Sequence, residues 1–197
     1  ARLVCNSLDY TDWDYFLCNV VVLRMKYEII DDAFSRADIL AFNDFARRSL
    51  FKIGWADGDH VADVIGQRRM LYSYYSDEDL KNMEFFERMK SPRLKELIAG
   101  RTPIRPLVNL VEPSNVMCNH SHLKEDSLIY YINPRWLPEY AGETLIYEDD
   151  SEETSRAVSF VPGRVLWLSK EVQHSIRPPS HACPTYRFTF ACFFECK

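Results

Sequence analysis

The sequence has few glycines and no long apolar run, and these two shortages exclude several classes of protein. Only 6 of its 197 residues are glycine, so we expect neither a flexible glycine-rich linker nor a glycine-rich phosphate-binding loop. The longest apolar run, residues 16–23, is interrupted by Asn19 and is too short to cross a bilayer. Acidic residues precede this run, where a signal peptide would be basic. We therefore expect no membrane partner and no secretion signal.

An excess of positive charge is also missing. The chain has 24 Lys and Arg residues against 29 Asp and Glu residues, which gives a net charge of −5. This balance disfavours a nucleic-acid partner. No C-x-x-C pair occurs, and the scattered cysteines favour reduced thiols in a cytoplasmic or otherwise intracellular protein. The six are Cys5, Cys18, Cys118, Cys183, Cys192 and Cys196.

The composition is that of a globular protein, with 47% apolar residues. The length suits a single domain that covers residues 1–197. Helix-capping patterns occur at Ser35, Ser76 and Ser91. They predict a mainly helical part with edge strands over residues 1–106. From residue 107 onward, eight short apolar runs separated by turn residues predict an antiparallel sandwich or barrel. The order indicates an α+β fold, with the mostly N-terminal helices packed on one sheet. The predicted strands are 107–110, 116–120, 128–132, 144–147, 157–161, 165–168, 174–176 and 186–194.

The last predicted strand has two different faces. Its period of two places Tyr186, Phe188, Phe190, Cys192 and Phe194 on one side, where they should pack against the helices. Arg187 and Thr189 then lie on the side that looks into the sandwich. A buried arginine is costly unless it meets an anion. The pattern leaves three options open: a ligand anion, an internal acidic partner, or an edge strand that exposes Arg187 to water.

Three of the five histidines are candidate metal ligands. His120 and His122 are two residues apart, so on a strand both imidazoles would lie on one face. His174 opens a later predicted strand and could supply a third ligand. Imidazoles suit iron, copper, zinc or nickel. The spacing alone is a weak signal, and His60 and His181, in a polar loop and a proline-rich turn, are not expected to bind metal.

Three stretches that follow the histidine pair resemble the prolyl-4-hydroxylase-type branch of the Fe(II)/2-oxoglutarate-dependent oxygenases. They are "YYINPRWLPEYAGETLIY" (130–147), "VPGRVLWLSKEVQHSIRP" (161–178) and "YRFTFACFF" (186–194). They are similar to the family's Y-x-N strand, W…GGE turn, P-G-R strand, H-x-[hydrophobic]-x-P element and basic residue opening the last strand. The stretches "YEIIDDAFS" (27–35) and "FKIGWAD" (51–57) also resemble the N-terminal entry of such domains.

The resemblance implies a double-stranded β-helix, which is a distorted jelly roll, and the cofactors Fe(II), 2-oxoglutarate and O2. It implies that His174 binds iron and that Arg187 pairs with the far carboxylate of 2-oxoglutarate. Thr189 could add a hydroxyl donor, and Tyr131 corresponds to a tyrosine that bonds the same carboxylate. The implied reaction couples decarboxylation of 2-oxoglutarate to hydroxylation of a C–H bond in a peptide or small molecule.

One departure from the family pattern concerns the metal ligands. The family has H-x-D where this chain has His120-Ser-His122. His122 could replace the carboxylate in a three-histidine site, or Asp126 (or Glu125) could supply the carboxylate beside one histidine. In the third alternative the site is damaged and the domain is a noncatalytic relative that binds a ligand in the barrel. A cupin-like metal enzyme without 2-oxoglutarate is the remaining rival, although its proline–glycine spacing fits less well. In every case the substrate would enter over loops near 55–63 and 149–153.

Overall fold

The computed structural model describes residues 26–55, 70–115, 118–122, 124–147 and 153–195. Outside these residues lie 1–25 and 56–69 of the part predicted to be mainly helical with edge strands. The same holds for most of the two loops over which the substrate is expected to enter, 55–63 and 149–153. The described chain forms three α-helices and ten strands. The helices are α1 (Arg36–Arg48), α2 (Asp77–Asn82) and α3 (Pro92–Ile98). The strands are β1 (Tyr27–Ile30), β2 (Lys52–Trp55), β3 (Met70–Tyr74), β4 (Pro103–Val111), β5 (Glu125–Tyr131), β6 (Thr144–Tyr147), β7 (Thr154–Val158), β8 (Val165–Leu168), β9 (His174–Ile176) and β10 (Arg187–Glu195).

Each helix begins at the serine that the sequence predicted. The Ser35 and Ser76 side chains accept hydrogen bonds from the backbone N–H groups of Asp38 and Asp79, whose carboxylates accept from the serine N–H groups in return. Ser91 accepts from Leu94 N, and a proline follows it in the first turn of α3. No described helix is long and apolar enough to cross a membrane.

The described strands form two antiparallel sheets. The larger has seven strands in the order β1-β8-β5-β10-β4-β3-β2, and the smaller has three in the order β7-β6-β9. Strands β5, β10 and β4 lie side by side at the centre of the large sheet. Antiparallel sheets with few helices agree with the predicted class, and β1 to β3 lie in the part of the chain predicted to be mainly helical.

Strand β10 is buried on both faces. Its helix-side face, formed by Phe188, Phe190, Cys192 and Phe194, joins one apolar cluster with residues from α1, α2 and α3, including Ile39, Phe42, Leu80 and Leu94. Its inner face is formed by Arg187, Thr189, Ala191 and Phe193, all at most 5% exposed. The two faces predicted from the alternation are therefore confirmed. Tyr186 is the exception, because it precedes the strand and is 49% exposed.

Two predicted strands differ from the observed ones. Strand β7 covers Thr154–Val158 rather than the predicted 157–161. Four of its five residues are exposed, so the strand is defined by its pairing with β6 and not by an apolar run. In place of the strand predicted over 116–120, the described residues 118–122 contribute one β-bridge, from His120 to His174. Residues 116 and 117 lie outside the described part.

Candidate metal centre and its cavity

The backbone brings two of the three candidate histidines together. His120 and His174 form an antiparallel bridge in which each N–H donates to the other's carbonyl, with N···O distances of 3.0 Å and 2.9 Å. This pairing places residues directly opposite each other. The two imidazole ring centres are 4.4 Å apart as a result.

His122 joins the pair two residues after the bridge. Its ring centre lies 5.1 Å from that of His120 and 5.4 Å from that of His174, and its ring meets Phe193 edge-on. One nitrogen from each of the three rings lies within 4.8 Å of the others. Two nitrogens that each contact one ion at about 2.1 Å can be at most about 4.2 Å apart. The observed separations are therefore close to those that a single ion bound by all three rings would require.

Hydrogen bonds indicate which ring nitrogen carries the proton in two of these residues. His174 Nδ1 lies 2.8 Å from the carbonyl oxygen of Val172, and His120 Nδ1 lies 3.2 Å from that of Cys118. A carbonyl oxygen can only accept, so each Nδ1 carries the proton. Nε2 then keeps its lone pair, which is the tautomer that a metal ligand needs.

The surroundings also keep the rings of His122 and His174 neutral. Burial is the main cause that lowers the pKa of His122 to about 3, and the neighbouring His120 and Arg105 add to it. Burial and the neighbouring His120 lower the pKa of His174 well below its usual 6.5. Metal binding requires a neutral imidazole. The donor set therefore fits a divalent transition metal such as Fe(II).

Asp126, the alternative carboxylate ligand, is not brought to the histidines. Alternation along β5 places it on the opposite face from Ser127, which lines the histidine cavity. Its Oδ2 accepts from Arg101 Nη1 at 2.6 Å and its Oδ1 from the backbone N–H of Lys170 at 2.9 Å. Glu125, the other acid considered, forms an ion pair with Arg105.

The three histidines line a cavity of about 450 Å³, which includes its opening to solvent. Strand β10 forms its floor through Thr189, Ala191 and Phe193, and β4, β5 and β9 contribute the rest of the lining. Six of its ten lining residues are polar, including the three histidines, and the other four are apolar. The remaining lining residues are Asn109, Ser127, Ile129 and Ile176.

Arg187, the predicted carboxylate anchor, is fully buried at the start of β10. Its Nε donates to the carbonyl oxygen of Gly142 at 2.9 Å, and its Nη atoms lie 3.4 Å from the hydroxyls of Thr189 and Thr144. The guanidinium also lies over the ring of Tyr131, at 5.4 Å from its centre. Thr189 borders both Arg187 and the histidine cavity, so Arg187 and the cavity lie on the same, inner face of β10.

Tyr131 and Gly142 complete the surroundings of the arginine. The Tyr131 hydroxyl donates to Thr144 Oγ1 at 2.7 Å, and burial raises its pKa. Gly142 has φ +86°, and a Cβ there would lie 3.0 Å from the Trp136 ring and 3.4 Å from Arg187 Cδ. Only glycine suits both this backbone conformation and this close approach.

Sequence reasoning missed two polar cavity residues, Asn109 and Ser127. Asn109 Oδ1 and Ser127 Oγ are both buried, and neither has a hydrogen-bond partner among the described residues. An asparagine in the middle of the apolar run "PLVNLV" was a usable signal, since a polar residue in a buried strand needs a reason. The cavity that supplies the reason is formed by residues far apart in the sequence.

Comparison with known proteins identifies the fold. No protein-family model and no curated protein matches the chain. Solved structures do match. A prolyl-4-hydroxylase from Pseudomonas putida is 17% identical, with a TM-score of 0.58, over 87% of this chain and 93% of that one.

Two further structures lead to the same result. A 2OG-Fe(II) oxygenase family oxidoreductase from Burkholderia pseudomallei gives a TM-score of 0.63 at 10% identity, over 87% of this chain and 86% of that one. A prolyl hydroxylase from Trichoplax adhaerens gives 0.62 at 12% identity, over 86% and 83%. The resemblance in the sequence motifs is thus confirmed at the level of the fold: this chain has the fold of the prolyl-4-hydroxylase-like 2-oxoglutarate/Fe(II) oxygenases.

Proposed function

We propose that this chain is a non-haem iron oxygenase that uses 2-oxoglutarate and O2 to hydroxylate a C–H bond. The observation that carries the proposal is the convergence of three imidazoles in one cavity of this fold. His120, His122 and His174 hold Fe(II), and His122 replaces the usual carboxylate. The two sheets form the double-stranded β-helix that the motifs imply, with the metal between them.

Arg187, Thr189 and Tyr131 bind the cosubstrate. The guanidinium is suited to a carboxylate because its planar fork can donate two parallel hydrogen bonds. Thr189 lies between Arg187 and the histidines on one face of β10, so an extended dicarboxylate could reach from one to the other. Bound Fe(II) would supply the activation of O2, coupled to decarboxylation of 2-oxoglutarate. The apolar lining residues, Ile129, Ile176, Ala191 and Phe193, would limit the access of water to the reacting groups.

The substrate is a peptide or a small molecule. Both kinds occur with structural neighbours: the Trichoplax adhaerens enzyme was solved with a peptide fragment, and the epimerase SnoN with nogalamycin RO. SnoN and the carbocyclase SnoK also show that this fold supports other outcomes than hydroxylation. Hydroxylation is the outcome we propose here.

The test is spectroscopic and needs no substrate. Anaerobic addition of Fe(II) and 2-oxoglutarate to the metal-free protein should give a visible metal-to-ligand charge-transfer band. Succinate formation in air should follow. Absence of the band, with the protein folded by circular dichroism, would sink the proposal.

The metal ligands can be separated by a pair of variants. His122→Ala should lose most Fe(II) binding, because it removes a ligand from the centre. Asp126→Ala should retain it, because the Asp126 carboxylate lies on the opposite face of β5 and accepts from Arg101 and Lys170. Iron content by mass spectrometry decides the question, and the reverse result would reinstate Asp126 as the ligand.

A second candidate is a cupin-like metal enzyme that does not use 2-oxoglutarate. The all-imidazole ligand set favours it, since the usual oxygenase triad contains a carboxylate. Arg187→Ala distinguishes the two: unchanged activity with metal bound supports the cupin-like enzyme, and loss of 2-oxoglutarate binding supports the oxygenase. A protein that retains no metal after reconstitution would instead be a noncatalytic relative.

A further inference from the structure

Asn109 has an unusual position for a buried asparagine. It lies in β4, is 8% exposed, and faces the histidine cavity. In the sheet it pairs with Thr189 of β10, which in turn pairs with Tyr131 of β5. Asn109 therefore sits in the same row as the residues proposed to bind the cosubstrate.

The side-chain oxygen of Asn109 is buried without a hydrogen-bond partner among the described residues. Leaving a buried acceptor unpaired costs free energy, because the group loses its hydrogen bonds to water without replacement. Such groups are rare in native structures and each calls for an explanation. Ser127 Oγ, at the Phe193 end of the same cavity, is a second unpaired polar atom, so the cavity is lined for polar contacts that the protein itself does not make.

Asn133 shows what a structural asparagine looks like in this fold. It is 2% exposed, its Nδ2 donates to the carbonyl oxygen of Tyr186 at 2.9 Å, and its Oδ1 accepts from Phe188 N at 2.7 Å. Both ends of its amide hold the start of β10 in place. Asn109 Oδ1 has no comparable role, so its place in the cavity is better explained by a ligand.

The chemistry of the acceptor restricts that ligand. The two carboxylates and the ketone of 2-oxoglutarate are all acceptors at neutral pH, so the cosubstrate cannot satisfy Asn109 Oδ1. We propose that Asn109 binds a hydrogen-bond donor, an amide N–H or a hydroxyl, on the primary substrate beside the reacting carbon. This inference rests on the proposed function and adds to it the chemical class of the substrate.

Two matched probes test for the donor. N-methylacetamide offers one N–H, and N,N-dimethylacetamide offers none. Their binding to the complex with Fe(II) and 2-oxoglutarate, and separately to the metal-free protein, is measured by ligand-observed NMR under anaerobic conditions. We expect wild-type protein to prefer N-methylacetamide by about threefold to tenfold, the range that one net hydrogen bond gives. Asn109→Leu should lose this preference.

Stability supplies a second readout. Asn109→Leu replaces an unpaired polar group with an apolar one, so the Tm of the metal-free protein should stay the same or rise. Asn133→Leu is the matched control and should lower Tm sharply, because it leaves Phe188 N–H and the Tyr186 carbonyl unpaired. A comparable loss in Asn109→Leu would mean that Asn109 is structural and would overturn the inference.

Other outcomes are equally decisive. Equal affinity of the two probes for wild type, or no binding of either, contradicts a donor site. A fall in 2-oxoglutarate affinity in Asn109→Leu, followed by the charge-transfer band, would mean that the amide presents its NH2 group to the cosubstrate instead. If the band never forms but the metal-free protein keeps its probe preference, the proposed function fails while the donor site stands.

Discussion

The two faces of β10 are equally buried but differ in how well their groups are satisfied. On the helix-side face, Phe190 lies 4.5 Å from the ring of Phe85 and 6.0 Å from that of Tyr75, measured between ring centres. On the inner face, buried Arg187 and Thr189 lie beside a cavity, and Asn109 adds an unpaired oxygen. One strand thus joins a close-packed core to a polar cavity.

The contrast separates stability from chemistry. Aromatic and aliphatic side chains on the helix-side face remove apolar surface from water. Within their cluster, the Tyr130 hydroxyl is a buried polar group without a hydrogen-bond partner among the described residues. The inner face keeps a cation, hydroxyls and imidazoles out of water, which is unfavourable unless each group has a hydrogen-bond partner, a ligand or a metal. We infer that the helix-side face stabilises the fold, whereas the inner face is the one that we propose for binding.

The largest expected effect comes from the helix-side face. Phe190→Ala should destabilise the protein by about 3–5 kcal/mol, because it removes a buried ring and leaves a cavity among close-packed neighbours. Urea unfolding followed by fluorescence measures this. Iron affinity, measured on protein that remains folded, should stay within about twofold of wild type. A loss of less than about 1 kcal/mol would mean that this face does not carry the stability.

A substitution on the inner face should instead change ligand affinity. Arg187→Lys keeps the charge but loses the planar fork, so 2-oxoglutarate affinity should fall by about tenfold or more while iron affinity is kept. Titration of the charge-transfer band measures both. Arg164→Lys is the matched control, since Arg164 forms a two-pronged ion pair with Asp31 away from the cavity and should leave 2-oxoglutarate binding unchanged. Equal losses in the two variants would contradict an anchoring role.

Much of this arrangement could be predicted because its signals are local. The β6, β8 and β9 segments match the apolar runs residue for residue, and the capping serines mark all three described helix starts. The two faces of β10 follow from a period of two. Strand β7 was misplaced because its mostly exposed residues carry no apolar signal and its position depends on pairing with β6.

The site was only partly predictable because its geometry depends on pairing between distant segments. The sequence could not decide between His122 and Asp126. Once β5 is known to begin at Glu125, alternation places Asp126 on the face opposite the cavity. Asn109 becomes a site residue only because β4 pairs with β10, which lies about 80 residues later in the chain.

The pH dependence of stability in the metal-free protein should show a further difference between the two faces. Folding lowers the pKa of His122 to about 3 from 6.5, so between these values the unfolded chain binds more protons than the folded one. Stability should therefore fall as pH drops from about 6.5 toward 3. His122→Gln should flatten this dependence, because it removes a ring that must be buried neutral. Urea unfolding at several pH values, with a chelator present, measures it, and an unchanged slope would show that burial of His122 is not responsible.

The smallest expected effect concerns the loop that holds Arg187. Ala141 has φ 54° and ψ −138°, a backbone conformation that glycine adopts far more readily than alanine. Its carbonyl oxygen accepts from Trp136 Nε1 at 2.7 Å, which keeps the loop in place, and Gly142 next to it accepts from Arg187. Ala141→Gly should therefore raise the unfolding free energy by about 1 kcal/mol, after the greater freedom of glycine in the unfolded chain is subtracted.

The same substitution leaves every side chain of the inner face unchanged, so 2-oxoglutarate affinity should stay within about twofold of wild type. Gly142→Ala is the contrasting variant. It adds a Cβ 3.0 Å from the Trp136 ring and 3.4 Å from Arg187 Cδ, so it should lower both stability and 2-oxoglutarate affinity. If Ala141→Gly gains stability but weakens binding, the strained turn itself holds Arg187 in its binding position. In that case ligand binding at the inner face depends on backbone strain as well as on unsatisfied polar groups.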